Sequence, residues 1–288
     1  MEQTGKDNRL FPGQYSLRRE VKVKAGVRIA TWNVNSIRVR QERVLAWLAV
    51  HNPTVLCLQE TKVPDAAFPR AAFEEVGYHV TAYGQRSYNG VALLSRTPAV
   101  DVVHQFGDEE EESAARFLSA SIEDVRVVCV YVPNGRTVSS EQFVYKLAWL
   151  GRLRRYLDRE CDPTQEIVLC GDLNVAPEPR DVHDPAAWQQ TVLFHPRARA
   201  ALRELCAWGL VDAVRLHHSE GGLFSWWDYR QLSFPRNHGL RIDHILVTSS
   251  LAARCSDAWI DREARKGPGA SDHAPVIASF APAGVALS

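Results

Sequence analysis

Acidic, amide and phenolic side chains stand at or beside the ends of six apolar runs in this 288-residue chain: Asn33 with Asn35, Glu60, Tyr131 with Asn134, Asp172 with Asn174, Asp243, and Asp272 with His273. The set is rich in oxygen and poor in sulfur, which suits a hard divalent cation such as magnesium or manganese rather than zinc. Carboxylates with a bound cation, a histidine, and neutral amide and phenol donors together fit phosphate-ester hydrolysis. The cation offsets charge on the phosphorus oxygens, the amides and phenol hold those oxygens, and a carboxylate or the histidine handles protons. Singly, each group has an ordinary explanation. Asn33 can cap a turn, Glu60 can pair with Lys62 on the surface, Asp272 and His273 can form a cap, Tyr131 can be a core aromatic with a wet tip, and residues 171–174 are common turn formers. Their joint occurrence argues for one cleft where the strand ends of two sheets meet.

The elements that must position these groups follow from the apolar pattern. Residues 167–170 read as a buried strand, Gly171 is expected to end it and turn the backbone, and Asp172 and Asn174 then stand at its carboxyl end, where ligands bind in α/β proteins. Further strands are expected at 27–32, 55–58, 78–83, 90–95, 117–122, 125–132, 239–247 and 276–280, and helices at 38–50, 66–76, 140–159 and 197–208. The arginines of the 140–159 helix read as a solvated face, and the acidic run from Asp108 to Glu112 as a solvated loop. Interleaved strands and helices with no linker give a single domain over 27–282, two packed sheets with helices outside, between a polar tail at 1–26 and a short one at 283–288. The tail carries a loose basic cluster at Arg18, Arg19, Lys22 and Lys24.

Lysine plus arginine equals aspartate plus glutamate at 34 each, so overall charge neither requires nor excludes a nucleic-acid partner; a local basic face would suffice. The six cysteines form no C-x-x-C pair, which reads as buried thiols in a reducing compartment. No run approaches the roughly 18 apolar residues of a membrane span, and the amino terminus lacks the apolar segment of a signal peptide. A soluble, cytoplasmic monomer that binds no membrane is expected.

The segments Trp32-Asn33-Val34-Asn35, Gln59-Glu60-Thr61-Lys62, Gly171-Asp172-Leu173-Asn174, Gly239-Leu240-Arg241-Ile242-Asp243 and Ser271-Asp272-His273-Ala274-Pro275 resemble, in order and spacing, the exonuclease III family of abasic-site endonucleases. The Gln-Glu, Gly-Asp-x-Asn and Ser-Asp-His motifs are shared with the wider DNase I-like superfamily. Residues 225–230 (Ser-Trp-Trp-Asp-Tyr-Arg) and 239–243 narrow the likeness to its DNA-repair branch. The resemblance implies a four-layered α/β sandwich and cleavage of the phosphodiester bond 5′ to an abasic deoxyribose in duplex DNA, leaving a 3′-hydroxyl, with 3′-5′ exonuclease and 3′-end-cleaning activity. It implies that Glu60 binds Mg2+ or Mn2+ with Asn33 and Asp272 beside it, and that Asp243 orients His273. It makes Asp172 the proton-transfer carboxylate and Tyr131 and Asn174 the phosphate clamp; whether Asp172 or His273 activates the water stays open. Trp226, Leu240 and Ile242 match the walls of the sugar pocket, which suits a substrate that has lost its base. Asn134, Arg136, Arg236 and Lys266 fall in loops that can touch phosphates, so the implied partner is double-stranded DNA with abasic sites or blocked 3′ ends. The alternatives are a phosphoesterase of the same superfamily acting on lipid or inositol phosphates, and a catalytically silent DNA-binding relative. Departures from the family pattern are Asn35 where aspartate is frequent, His244 where an apolar or aromatic residue is usual and is read here as structural, and the Trp227 and 234–238 region, which bears on how a strand is gripped.

Overall fold

A computed structural model describes residues 26–108 and 114–283. The basic cluster of the amino-terminal tail, residues 109–112 of the acidic run and the last five residues lie outside the described residues. Two six-stranded sheets form the body. Sheet A contains β1 (Val27–Asn33), β2 (Val55–Gln59), β3 (His79–Tyr83), β4 (Val91–Ser95), β11 (Cys255–Ile260) and β12 (Val276–Phe280), in the spatial order β11-β12-β1-β2-β4-β3. Sheet B contains β5 (Val100–Val103), β6 (Phe117–Ile122), β7 (Val125–Tyr131), β8 (Ile167–Asp172), β9 (Leu210–Asp212) and β10 (Asp243–Thr248), ordered β5-β6-β7-β8-β10-β9. Among the described residues, only the β1–β2 and β7–β8 pairs are parallel; every other pairing is antiparallel.

Alternation along the strands explains the layering. Ile29 of β1, Cys57 of β2, Cys129 of β7 and Cys170 of β8 face into the core between the sheets, where burial pushes the Cys57 thiol well up. Their neighbours Ala30, Trp32, Leu56 and Leu58 face outward and pack under the Ile37–His51 helix. On the other side Val128, Val130 and Leu169 pack under the Glu141–Glu160 and Pro196–Cys206 helices. Helix, sheet, sheet, helix is the four-layered sandwich.

Four local expectations change. The 66–76 helix breaks into a 3-10 turn at Asp65–Ala67 and a short helix at Arg70–Glu74, because Pro69 holds Phe68 in extended backbone. The 239–247 strand begins only at Asp243, since residues before it leave sheet B and Leu240 bridges instead to Val182 and Trp226. Arg152, on the helix face expected to be solvated, is 4% exposed and forms a two-pronged ion pair with Asp108 at 2.7 and 2.8 Å. Asp108 is therefore the anchored start of the acidic run rather than a solvated residue.

Gly171 gives the fourth. It does not end β8 but lies inside it, at φ 147°, paired with Val130 of β7. A Cβ there would stand 1.9 Å from the Val130 carbonyl oxygen, so only glycine lets β7 and β8 approach this closely. The same register sets Tyr131 beside Asp172, and Asp243 beside Asp172 on the far side. Gly171→Ala is expected to push β7 off β8 and cost at least about 1–3 kcal/mol, roughly 3–10 °C in melting temperature for a chain of this size. A melting curve indistinguishable from that of the parent chain would contradict this account of the close strand approach.

Candidate active site

The parallel pairs place the carboxyl ends of β1 and β2 in one sheet, and of β7 and β8 in the other, at the same edge of the sandwich. Asn33 ends β1, Glu60 follows β2, Tyr131 ends β7, Asp172 ends β8 and Asp243 opens the antiparallel β10. The loop before β12 brings Asp272 and His273 across this edge. Ser271 Oγ donates to the Asn33 carbonyl at 2.7 Å, and Trp32 Nε1 donates to the His273 carbonyl at 3.1 Å, so the loop is pinned to β1. Asn35, Glu60 and Asn174 all take positive φ, of 44°, 52° and 51°. Such backbone is costly for a glutamate, and strain of this kind collects where side chains must be aimed at a site.

Asn33 joins the two sheets. Its Nδ2 donates to Glu60 Oε1 at 2.8 Å and to Asp172 Oδ2 at 3.0 Å. Both acceptors are carboxylates, so the amide nitrogen must face them, while its Oδ1 accepts from the Asn35 amide. His273 Nδ1 donates to Asp243 Oδ2 at 2.8 Å, and His273 Nε2 lies 3.8 Å from Asp172 Oδ2. Burial alone would lower the imidazole, but Asp243 and Asp172 outweigh it and push it up to about 10, so His273 stands as a cation. Burial raises the Asp172 carboxyl, which the adjacent His273 only partly offsets, and it sits at about 7. For Glu60 and Asp272 the balance runs the other way. Lys62 and Asn33 overcome burial at Glu60; His273, Trp226 and Asn35 do so at Asp272; both carboxyls are held below their usual range. Burial, then Glu60 and Asp172, push the Tyr131 phenol well up, so it remains a donor; its ring lies 4.6 Å under the Arg116 guanidinium.

Glu60, Asp172 and His273 converge with one side-chain atom each within 4.8 Å of one another. The two carboxylates suit a hard divalent cation, whereas the protonated His273 offers it no lone pair. Asp272 is bound otherwise: Asn35 Nδ2 donates to its Oδ1 and Trp226 Nε1 to its Oδ2, each at 3.0 Å. Lys62 Nζ pairs with Glu60 Oε2 at 2.8 Å and also donates to Asn35 Oδ1.

Asn174 and Asn134 form a second, linked group. Asn134 Nδ2 donates to Asn174 Oδ1 at 3.1 Å, Asn174 Nδ2 donates to the Val132 carbonyl at 3.0 Å, and the Asn174 amide donates to Asp172 Oδ1 at 2.9 Å. Beneath them lies a residue that the sequence reading passed over. Lys146 is fully buried and donates to the carbonyls of Asn134 at 3.1 Å, Asn174 at 2.6 Å and Val192 at 2.8 Å. Burial brings its ammonium down to about 7. The signal was a lysine set on the apolar stripe of its helix, three residues after Phe143 and three before Trp149.

Of the expected pocket walls, Trp226 is half-buried in front, exchanging two backbone hydrogen bonds with Leu240, while Leu240 and Ile242 lie within the core behind it. Trp227 is wholly buried against Phe224 and Ala274, so it supports this region from within. Arg136 and Asn134 are exposed on the rim. His244 is structural: Arg241 donates to its Nδ1, so its Nε2 carries the hydrogen donated to the Val175 carbonyl at 2.9 Å. Arg241, buried between Asp181 and Asp212, thereby anchors the segment just after Asn174.

A match to the endonuclease/exonuclease/phosphatase family spans residues 30–273. The chain is 35% identical over 266 residues to exodeoxyribonuclease III of Haemophilus influenzae, covering 88% of this chain and all of the relative. Among solved structures it superposes on an AP endonuclease from Archaeoglobus fulgidus with a TM-score of 0.86 at 42% identity, covering 88% of this chain and 99% of that one. It fits the 3′ phosphatase NExo from Neisseria, bound to a product DNA hairpin, equally closely, with a TM-score of 0.86 at 39% identity and coverage of 88% and 99%. By this match and these likenesses the chain belongs to the endonuclease/exonuclease/phosphatase family and, within it, to the exonuclease III group.

Proposed function

We propose that this chain hydrolyses the phosphodiester bond 5′ to an abasic site in duplex DNA, leaving a 3′-hydroxyl, and that it also clears nucleotides and blocking groups from 3′ ends. The observation that carries this reading is the convergence of Asp172, bound to Asn33 of the other sheet, with a His273 cation backed by Asp243. An Asp172 carboxyl at about 7 can take or give a proton near neutral pH, where general acid–base catalysis works best. The His273 imidazolium sets positive charge beside the phosphate. Tyr131, Asn174 and Asn134 supply neutral donors for its oxygens, and Asn134 and Arg136 meet the flanking backbone. Glu60, with Asn33 and Asp272 close by, is the metal side of the cleft. Mg2+ or Mn2+ bound there would act as a Lewis acid on the phosphate. Trp226 supplies the face against which a sugar without a base packs.

Three outcomes are expected. Asp172→Asn keeps the shape but removes the titrating group, so kcat on an abasic duplex should fall at least about 10²-fold. Because the parent enzyme needs Asp172 ionised, its rate should rise with pH through the Asp172 value, and this acid limb should vanish in the variant. A pH–rate profile on both proteins checks this; a variant with normal kcat, or with the limb intact, would remove Asp172 from the chemistry. Glu60→Gln should lose most activity and recover part of it as magnesium is raised, whereas an unaltered magnesium dependence would place the ion elsewhere. Lys146→Met, similar in length but without donors, should cost on the order of 3 kcal/mol by stranding buried carbonyls, measured by denaturant unfolding. It should also raise KM as the Asn134 and Asn174 segments separate.

A further inference from the structure

Beside the cleft, and sharing Trp226 with it, is a hollow of about 280 Å³ that the chemistry above does not use. Three separate segments turn flat rings into it. Trp188 closes the one-turn Pro185–Trp188 helix, whose first turn is capped by Asp184 Oδ1 accepting from the Ala187 amide at 3.1 Å. His183 precedes that helix and is held by its amide donating to the Gly239 carbonyl at 3.1 Å. His238 ends the 234–238 loop, its amide donating to the Ser233 carbonyl at 2.8 Å. His183 and His238 stack at 4.8 Å with 9° between planes. Trp188 meets His183 edge-on at 6.0 Å and Trp226 edge-on at 6.2 Å. The rings thus run in an unbroken row from the cleft into the hollow, and the Asp228–Arg230 ion pair at 2.8 Å, with Gln231 and Ser233, completes its wall with polar groups.

A row of rings that served only packing would be buried, as Trp227, the next residue after Trp226, is. Here Trp188 and His183 are half-buried and His238 is exposed. Partly exposed aromatic faces beside polar groups, around a space larger than one side chain, are the features of a site that takes a flat heterocycle by stacking and edge hydrogen bonds. The connection through Trp226 sets where that heterocycle comes from. A sugar packed on Trp226 that still carries its base must put the base somewhere other than the helix stack.

We propose that this hollow is a nucleobase subsite, which receives the base of a 3′-terminal nucleotide while its sugar packs on Trp226 and its phosphate lies at Asp172 and His273. This rests on the nuclease reading above and extends it to substrates that keep their base. In the step served, water adds to phosphorus and the bond from phosphorus to the 3′-oxygen of the preceding sugar breaks. That oxygen takes a proton, so a 3′-hydroxyl end and a nucleoside 5′-monophosphate are released. An abasic site or a 3′-phosphate has no base to place and does not need the hollow.

The test compares three substrates on one duplex sequence: a nick ending in an intact 3′-nucleotide, the same nick ending in a 3′-phosphate, and an internal tetrahydrofuran abasic analogue. In Trp188→Ala the kcat/KM for the 3′-nucleotide should fall about tenfold, the lower range of a lost base stack, relative to both baseless substrates. Trp188→Phe should restore most of the ratio, and His238→Ala, at an exposed position that leaves folding undisturbed, should lower it in the same direction. Equal losses on all three substrates, or an unchanged ratio in both alanine variants, would overturn the subsite. The parent protein separates the two claims: failure to cut any of the three substrates refutes the nuclease reading itself, whereas cutting with unaltered ratios refutes only the subsite.

Discussion

The two sheets of this protein are joined at their working edge by one primary amide. Asn33, at the end of β1, gives one hydrogen to Glu60 of its own sheet and the other to Asp172 of the facing sheet. Two carboxylates set near one another in a low-dielectric place repel, and each on its own would be driven to take up a proton. A doubly donating neutral group between them favours the charged form of each and lets both approach the same point, although burial still holds Asp172 at about 7. It also ties β1 to β8 at this edge, in addition to the apolar packing of Ile29, Val168 and Cys170 between the sheets. The remaining groups of the cleft are placed relative to this bridge.

Charge balance is the second constraint. Glu60, Asp172, Asp243 and Asp272 crowd the edge against His273 and Lys62. The cations are distributed unevenly. His273 is held between Asp243 and Asp172 and stays protonated, while Lys62 is bound to Glu60 and to the Asn35 amide oxygen. An excess of carboxylate in a site that must receive a phosphate diester is unfavourable unless a further cation joins it, which is the physical case for a divalent ion near Glu60. The same imbalance leaves Asp172 as the carboxyl raised toward neutrality, whereas Glu60 and Asp272 remain firmly ionised.

Rigidity is supplied from beneath. Lys146 ties the Asn134, Asn174 and Val192 segments through their backbone carbonyls, and Arg241 with His244 ties the next turn of chain to Asp181 and Asp212. Neither group reaches the cleft. Each uses buried side-chain N–H donors to satisfy backbone oxygens or carboxylates that irregular loops would otherwise strand, so residues at positive φ such as Asn174 can hold a single orientation.

Much of this was legible from residue order alone. Buried strands announce themselves as short apolar runs, and the polar groups that follow them fall at strand ends because the chain must there leave the sheet. Asn33, Glu60, Tyr131, Asp172 and His273 could therefore be singled out together, and the motifs around them named the family. What sequence could not supply was anything set by contact between distant segments. Gly171 looked like a strand terminator, and only the 1.9 Å approach of the Val130 carbonyl shows it to be a strand interior that tolerates no side chain. Arg152 looked like part of a solvated helix face and Lys146 drew no notice, because a charge on a helix is read as exposed until the carbonyls or the carboxylate that would receive it are known to lie opposite. The 239–242 stretch had the apolar content of a strand, but Arg241 is drawn out of that role by Asp181 and Asp212, brought from elsewhere in the chain. The sequence determined which polar groups stand at the strand ends and on which elements they ride. Their distances, their protonation and the hollow beside Trp226 were decided by the tertiary structure, because each depends on groups far apart in sequence sharing a space from which water is excluded.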